Sequence, residues 1–312
     1  MPPKTITAAC SGAFGAASAG FLEVALAKAQ VVEIWARTSD ALAFHKACAS
    51  PGPRAAVVAA AALPADGAPD GLFVLDGTLA WEVLRVGAGG LETAVRGSGL
   101  ARPAAAPAPR VDACGSLLLV AAWRGAVARL ADDTLTALAP GFLDSDGAEF
   151  EVSAVALLRG DGASDAAGRP LGALVGRDGT DGLAAAHLYC VAVDEASLER
   201  GPWRVEHVPP ETVLAGFSLR GRAALAAAGT YEAKVYFASG AVAAAAVLPG
   251  AGRTAPTRAV ALRGGGAGAL AVGGATSETL FLSPRRGEDG YDCRAGRGSG
   301  VLFLLSSRAF LC

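Results

Sequence analysis

The chain has 312 residues, 27 Lys+Arg against 29 Asp+Glu, and a formal net charge of −2. That balance excludes a polybasic nucleic-acid clamp or an acidic disordered tail as the identity of the whole chain, although a local basic face stays open. Hydrophobic residues make up 52% and charged residues 18%, so the chain can bury a large core. With 6% aromatics and one Met, that core must be built mainly from Ala, Val and Leu.

Taken in chain order, short apolar runs recur between Gly and Pro punctuation. Phe21–Leu26, Val31–Trp35, Ala41–Ala47, Ala55–Ala62, Leu72–Leu75, Leu79–Val86 and Leu91–Val95 read as strands. Leu117–Ala122, Ala126–Leu130, Leu135–Leu138, Phe150–Leu158, Leu171–Val175 and His187–Val193 continue the series. Trp203–Val208, Thr212–Leu219, Ala223–Ala228, Ala233–Ala238 and Ala241–Leu248 follow, then Arg258–Leu262, Ala267–Val272, Glu278–Leu282 and Val301–Leu305. Runs of this length at about 8–12-residue spacing mark an all-β fold. The connectors Asp66-Gly67, Asp76-Gly77, Asp146-Gly147, Asp161-Gly162, Asp178-Gly179, Asp181-Gly182 and Ser239-Gly240 carry tight-turn chemistry, because glycine accepts a positive φ. Roughly two dozen strands exceed one sandwich or small barrel. A β-propeller of four-stranded antiparallel blades, about 40–45 residues each, accommodates them and predicts six or seven blades. A β-helix is the structural competitor, but its repeat is tighter and more uniform.

Catalytic signatures are sparse. Of the three histidines, His45, His187 and His207, none pairs with another at i+4, which argues against a zinc site. No lysine follows a glycine, so a P-loop is excluded, and no serine sits in a G-x-S-x-G elbow. Gly264-Gly265-Gly266-Ala267-Gly268-Ala269 fits a dinucleotide fingerprint in letters only, because Leu270–Gly274 is too short for the helix that motif requires. The carboxylate pairs Asp132-Asp133, Asp144/Asp146 and Glu288-Asp289 read as solvated turns. Arg285-Arg286, with Arg294 and Arg297, forms a basic loop offset by Glu288, Asp289 and Asp292. Trp35, Trp81 and Trp123 are expected in the core. No catalytic, cofactor-binding or metal-binding residue is therefore assigned, and no cofactor. The six cysteines are scattered without a C-x-x-C pair and read as free thiols. No stretch of 18 apolar residues suggests a membrane span. The segment from Lys4 to Ala19 is too polar for a signal-peptide core.

One motif is sharper. Ser197-Leu198-Glu199-Arg200 leads into Gly201-Pro202-Trp203 after the strand ending Tyr189–Val193, so a polar turn ends in Gly-Pro-Trp at the start of the next strand. This resembles the first β-propeller of the DNA damage-binding protein 1 family. Ala27–Trp35 is similar to that family's opening blade, with a basic turn before an aliphatic-Glu-aliphatic-aromatic strand. Arg54–Leu63 with Gly71–Leu75, Leu117–Leu130, and Thr257–Arg263 with Glu278–Leu282 fall in the same order. The resemblance implies a partial N-terminal propeller over 5–290, as a seven-bladed ring short of its last strands. A divergent tail over 291–312 has room for one further strand.

It further implies a non-catalytic adaptor of a nuclear cullin-RING ubiquitin ligase with a role in DNA repair. Its partners would be substrate receptors and cullin-ligase components, damaged DNA would be approached through a receptor, and no membrane would be involved. The related propellers of splicing factor 3B and of the cleavage and polyadenylation specificity factor are the alternative within the superfamily. A propeller-type enzyme and a secreted β-helix or adhesin are the rivals outside it.

Overall fold

The computed structural model describes residues 6–17, 23–28, 30–37, 44–51, 55–65, 67–98, 110–115, 117–122, 126–131, 134–138, 150–178, 186–195, 197–209, 211–247, 256–261, 270–274, 278–284 and 291–297. Among them every regular element is a β-strand, and the strands form six four-stranded antiparallel sheets.

The chain divides into two compact units, Met1–Ala137 and Leu138–Cys312. The first holds three sheets. One is β1 (Ile6–Gly12), β2 (Glu23–Lys28), β3 (Val31–Arg37) and β4 (Phe44–Ala49); the next is β5 (Val57–Ala65), β6 (Ala68–Asp76), β7 (Trp81–Gly87) and β8 (Gly90–Gly97). The third is β9 (Arg110–Cys114), β10 (Leu117–Ala122), β11 (Ala126–Ala131) and β12 (Thr134–Leu138). The second unit repeats the plan. It has β13 (Phe150–Leu157), β14 (Leu171–Asp178), β15 (Ala186–Val193) and β16 (Leu198–Val208), then β17 (Val213–Leu219), β18 (Arg222–Ala228), β19 (Glu232–Phe237) and β20 (Val242–Val247). Its last sheet is β21 (Pro256–Ala261), β22 (Leu270–Gly274), β23 (Glu278–Pro284) and β24 (Tyr291–Arg297). Each sheet is an up-and-down meander, with every strand paired to its predecessor.

Within each unit the sheets stack like blades with their first strands side by side: β1 beside β5 and β5 beside β9, then β13 beside β17 and β17 beside β21. Stacking explains why the inner strands read as unbroken apolar runs. A strand covered on one face alternates apolar and polar residues, whereas one covered on both faces has no solvent side to mark. In β6, Leu72 and Val74 face the first sheet with Ile34 and Ala27, while Phe73 and Leu75 face the third with Leu118 and Val120. In β18, Ala223, Leu225 and Ala227 pack with Leu188 and Cys190 of β15, and Ala224, Ala226 and Ala228 with Val213, Ala215 and Phe217 of β17.

Three strands, β1, β9 and β24, have no matching run in the sequence. β1 and β9 are short of branched or aromatic residues and exist through their ladders to β2 and β10. Residues 291–297 form β24, paired with β23 from Tyr291↔Pro284 to Arg297↔Glu278, so the sixth sheet extends into the segment read as a tail. The run Val301–Leu305 lies outside the described residues. The connection between β1 and β2 is held from both sides. Glu23, 3% exposed, accepts backbone N–H groups from Gly15 (2.9 Å) and Ala17 (2.5 Å), and Asp70 accepts from Ala13 N at 2.7 Å. A buried carboxylate is tolerated there because those N–H groups replace the water it lost.

Candidate functional site

Gly-Pro-Trp departs from its sequence reading. The turn spans only Asp194–Ser197, closed by Asp194 N donating to Ser197 O at 3.0 Å, and β16 starts at Leu198 and runs through the motif. Val191 pairs with Arg200 and Tyr189 with Arg204, so Cys190 alone faces Gly201, Pro202 and Trp203. Proline cannot donate to a ladder, and it is accommodated here because the motif is a bulge on an edge strand.

The bulge swings Trp203 onto the neighbouring sheet. Its ring stacks on Tyr236 of β19 (centroids 5.8 Å apart, planes at 22°), and Nε1 donates to Ala238 O at 2.8 Å. The Ser239-Gly240 hairpin lies against the indole. Gly240 has φ +85°, and a Cβ there would sit 2.7 Å from Trp203 Cγ, so this turn requires glycine twice over. Burial pushes the Tyr236 hydroxyl's pKa up, and it pushes the Cys190 thiol up to about 12.

Beside this hairpin, where Ala238 N donates to Ala223 O at 3.1 Å, the two sheets meet backbone to backbone. The connection after β13 adds to the start of β18: Asp161 N donates to Gly221 O at 2.7 Å, and Ala223 N donates to Asp161 O at 2.8 Å. Deeper in, an added Cβ on Gly216 of β17 would lie 1.7 Å from Leu157 O, so β17 approaches β13 as closely as only glycine permits. The rest of the connection is self-fastened. Asp165 Oδ1 accepts from Ala167 N and Arg169 N, both at 2.9 Å, and Oδ2 accepts from Arg169 Nε at 2.8 Å. The Arg169 backbone N–H holds the Asp165 carboxyl below its ordinary pKa, with Arg169's side chain and Ala167 N assisting against partial burial. Arg169 also reaches Glu199 at 2.6 Å and Asp194 at 3.7 Å, so one guanidinium serves three carboxylates.

Between these fastenings lies an open cleft of about 560 Å³. Its lining brings apolar Leu171, Pro202 and Phe237 together with polar Asp161, Ser164 and Ser239. The Arg222 guanidinium lies 3.9 Å over the Phe237 ring. Such a concave apolar surface with a few polar groups at its rim is the form of a binding site.

A second cluster lies in the first sheet. Glu33 accepts hydrogen bonds from Lys28 Nζ and, at 2.9 Å, from Trp35 Nε1, and Lys28 Nζ stands 4.9 Å over the indole. Partial burial raises the Glu33 pKa, but the bonds from Lys28 and Trp35 and the charges of Lys28 and Lys46 outweigh it and leave the carboxyl below its usual value. Trp35 is therefore a half-buried member of an ion cluster and not a core residue, because Glu33 and Lys28 hold its N–H edge and one face toward solvent. Trp81 is buried as expected and stacks on Phe73 at 6.1 Å.

The histidines are closer in space than their spacing suggests. The register shift between Ala186 and Leu188 sets the His207 ring 5.8 Å from His187, with His187 buried and His207 exposed. Among the described residues no group of three or more His, Cys, Asp or Glu side chains is placed to hold a metal ion. No described helix is long and apolar enough to cross a membrane. Asp132-Asp133, Asp144/Asp146, Glu288-Asp289, Arg285-Arg286, Trp123 and the Gly264–Ala269 run lie outside the described residues; Arg294 and Arg297 fall in β24.

No family model matches the chain, and no curated protein is similar to it at a significant level.

Proposed function

We infer that this chain is a protein-interaction scaffold: a β-propeller of the type that opens DNA damage-binding protein 1, with its blades completing a seven-bladed ring short of the last strands. The observation that carries this reading is the repeated plan of six four-stranded meanders whose first strands abut within each unit. The Gly-Pro-Trp block supports the resemblance because its Trp203 fastens one blade to the next, giving the motif a structural task. A rigid stack of this kind holds loops and edge strands in fixed positions for partners to read.

On this reading the chain acts in the nucleus as a cullin-ligase adaptor, receiving substrate receptors on its loop surfaces and meeting nucleic acid through them. The test is capture of a cullin scaffold and its substrate receptors on the immobilised, folded chain. Retention of receptors is the expected result, and a folded chain that retains neither component would remove the reading.

A further inference from the structure

We propose that His187 of β15 and His207 of β16 together bind one divalent transition-metal ion of the nickel, copper or zinc kind, with water completing its coordination shell. The site is independent of the scaffold reading and goes beyond it.

The ladder builds the pair. Ala186 pairs with Val208 and Leu188 with Val205, so His187 alone stands opposite two residues, Glu206 and His207. His207 takes a left-handed backbone with φ +60°, a strained conformation that concentrates at ligand-holding positions. The two ring centres lie 5.8 Å apart with their planes at 52°, so the rings are not stacked face to face. Metal–nitrogen bonds of about 2.0–2.1 Å put two imidazole centres that share an ion roughly 4.5–5.5 Å apart. A small rotation of the exposed His207 side chain closes that difference.

His187 supplies the observation that asks for a ligand. It is 8% exposed, and its Nδ1 is buried without a hydrogen-bond partner. A neutral imidazole carries one lone pair and one N–H, and a buried nitrogen left unpaired is costly. Tyr189 meets the ring in a T-shaped contact, centres 6.0 Å apart, so packing orients the imidazole without engaging its nitrogens.

The surrounding charge suits a cation. Arg204 holds the Glu206 carboxyl below its ordinary pKa, and the charge of His187 and His207 when protonated adds to that, which places the carboxylate beside both rings. A dication takes the place of those protons. Glu206 is committed to Arg204 and is not counted as a ligand, in keeping with the lack of a three-residue metal group among the described residues. Two imidazoles select nickel, copper or zinc over calcium and magnesium, which want several oxygen ligands.

The experiment titrates the full chain, its accessible thiols blocked with N-ethylmaleimide, with Ni(II) in an isothermal calorimeter. One ion per chain is expected, bound more weakly as pH falls because protons compete for the imidazoles. Electron spin-echo modulation of the Cu(II)-loaded chain should count two imidazoles. His207→Asn keeps a residue that tolerates the left-handed backbone, so its melting temperature without metal should match the parent's. It should weaken Ni(II) binding by about tenfold or more and leave one imidazole on Cu(II). Ni(II) should raise the melting temperature of the parent and not of His207→Asn. His45→Ala, on β4, should change none of these readings. No binding by the parent, a single imidazole on its Cu(II), unchanged affinity in His207→Asn, or loss of binding in His45→Ala would each overturn the proposal.

Discussion

Among the described glycines, Gly216 gives the sharpest prediction. At Gly216 an added methyl would lie 1.7 Å from Leu157 O, 2.7 Å from Leu157 C and 3.4 Å from Leu158 Cα. All three are backbone atoms, so no side chain can rotate aside; β17 and β13 must separate or tilt. Overpacking of a well-filled interior costs about 1–3 kcal/mol, and a clash with two fixed ladders belongs at the top of that range. For a cooperative unit of this size about 3 kcal/mol lowers the melting temperature by about 6–12 °C. Gly216→Ala, followed by far-ultraviolet circular dichroism on heating and in urea, should show that loss. Gly77→Ala is the control, because a Cβ there meets only Val58 Cγ1 at an ordinary 3.8 Å. It should stay within about 0.5 kcal/mol of the parent. If Gly216→Ala melts within about 2 °C of the parent, the first strands of these two sheets are not in contact at this point, and the blade arrangement loses its support.

Three further outcomes are expected. Trp203→Phe keeps the ring against Tyr236 but loses the bond to Ala238 O, costing about 1 kcal/mol, whereas Trp203→Ala also loses the packing and should cost about 3 kcal/mol in urea melts. Glu33 titrates below its unfolded value of about 4.3, so its contribution to stability is complete at neutral pH and disappears as pH falls through the lowered folded value. The stability gap between the parent and Glu33→Gln, followed by urea unfolding, should accordingly narrow on acidification from about pH 6 to pH 3; a gap constant with pH would refute the role given to Lys28 and Trp35. Cys190, with its thiol pushed up to about 12, should resist iodoacetamide in the folded chain and react once urea unfolds it, which peptide mapping would show.

Fold class was legible because its signal is local. Runs such as Leu72–Leu75 and Ala223–Ala228, bounded by Asp76-Gly77 and Gly229, carry their own strand length and turn chemistry. Strands made by their partners were not legible: Thr7, Ala8 and Ala9 of β1 have no pattern until β2 lies beside them. The boundary of β16 was misplaced because Gly201 and Pro202 read as a turn in one dimension. Only the pairing of Cys190 against three residues turns them into a bulge. The cleft was least visible. Asp161-Gly162 was recognised as a turn, but Phe237, Arg222 and Pro202 come from separate strands whose convergence depends on how the two sheets stack. The proximity of His187 and His207 was hidden for the same reason, since a register shift across a ladder leaves no mark in residue spacing.

The methyl-lined strand β18 sets a direction for sequence change in this chain. Ala224, Ala226 and Ala228 are 0%, 1% and 0% exposed on one side, and Ala223 is 1% exposed on the other. Such positions have almost nothing left to lose by truncation: replacement by glycine costs roughly 1 kcal/mol of backbone entropy. Growth by even two methyl groups meets filled space on both sides. Drift at these sites can therefore run only toward smaller residues, and the bulk between these sheets is carried by neighbours such as Leu225, Leu188 and Phe217.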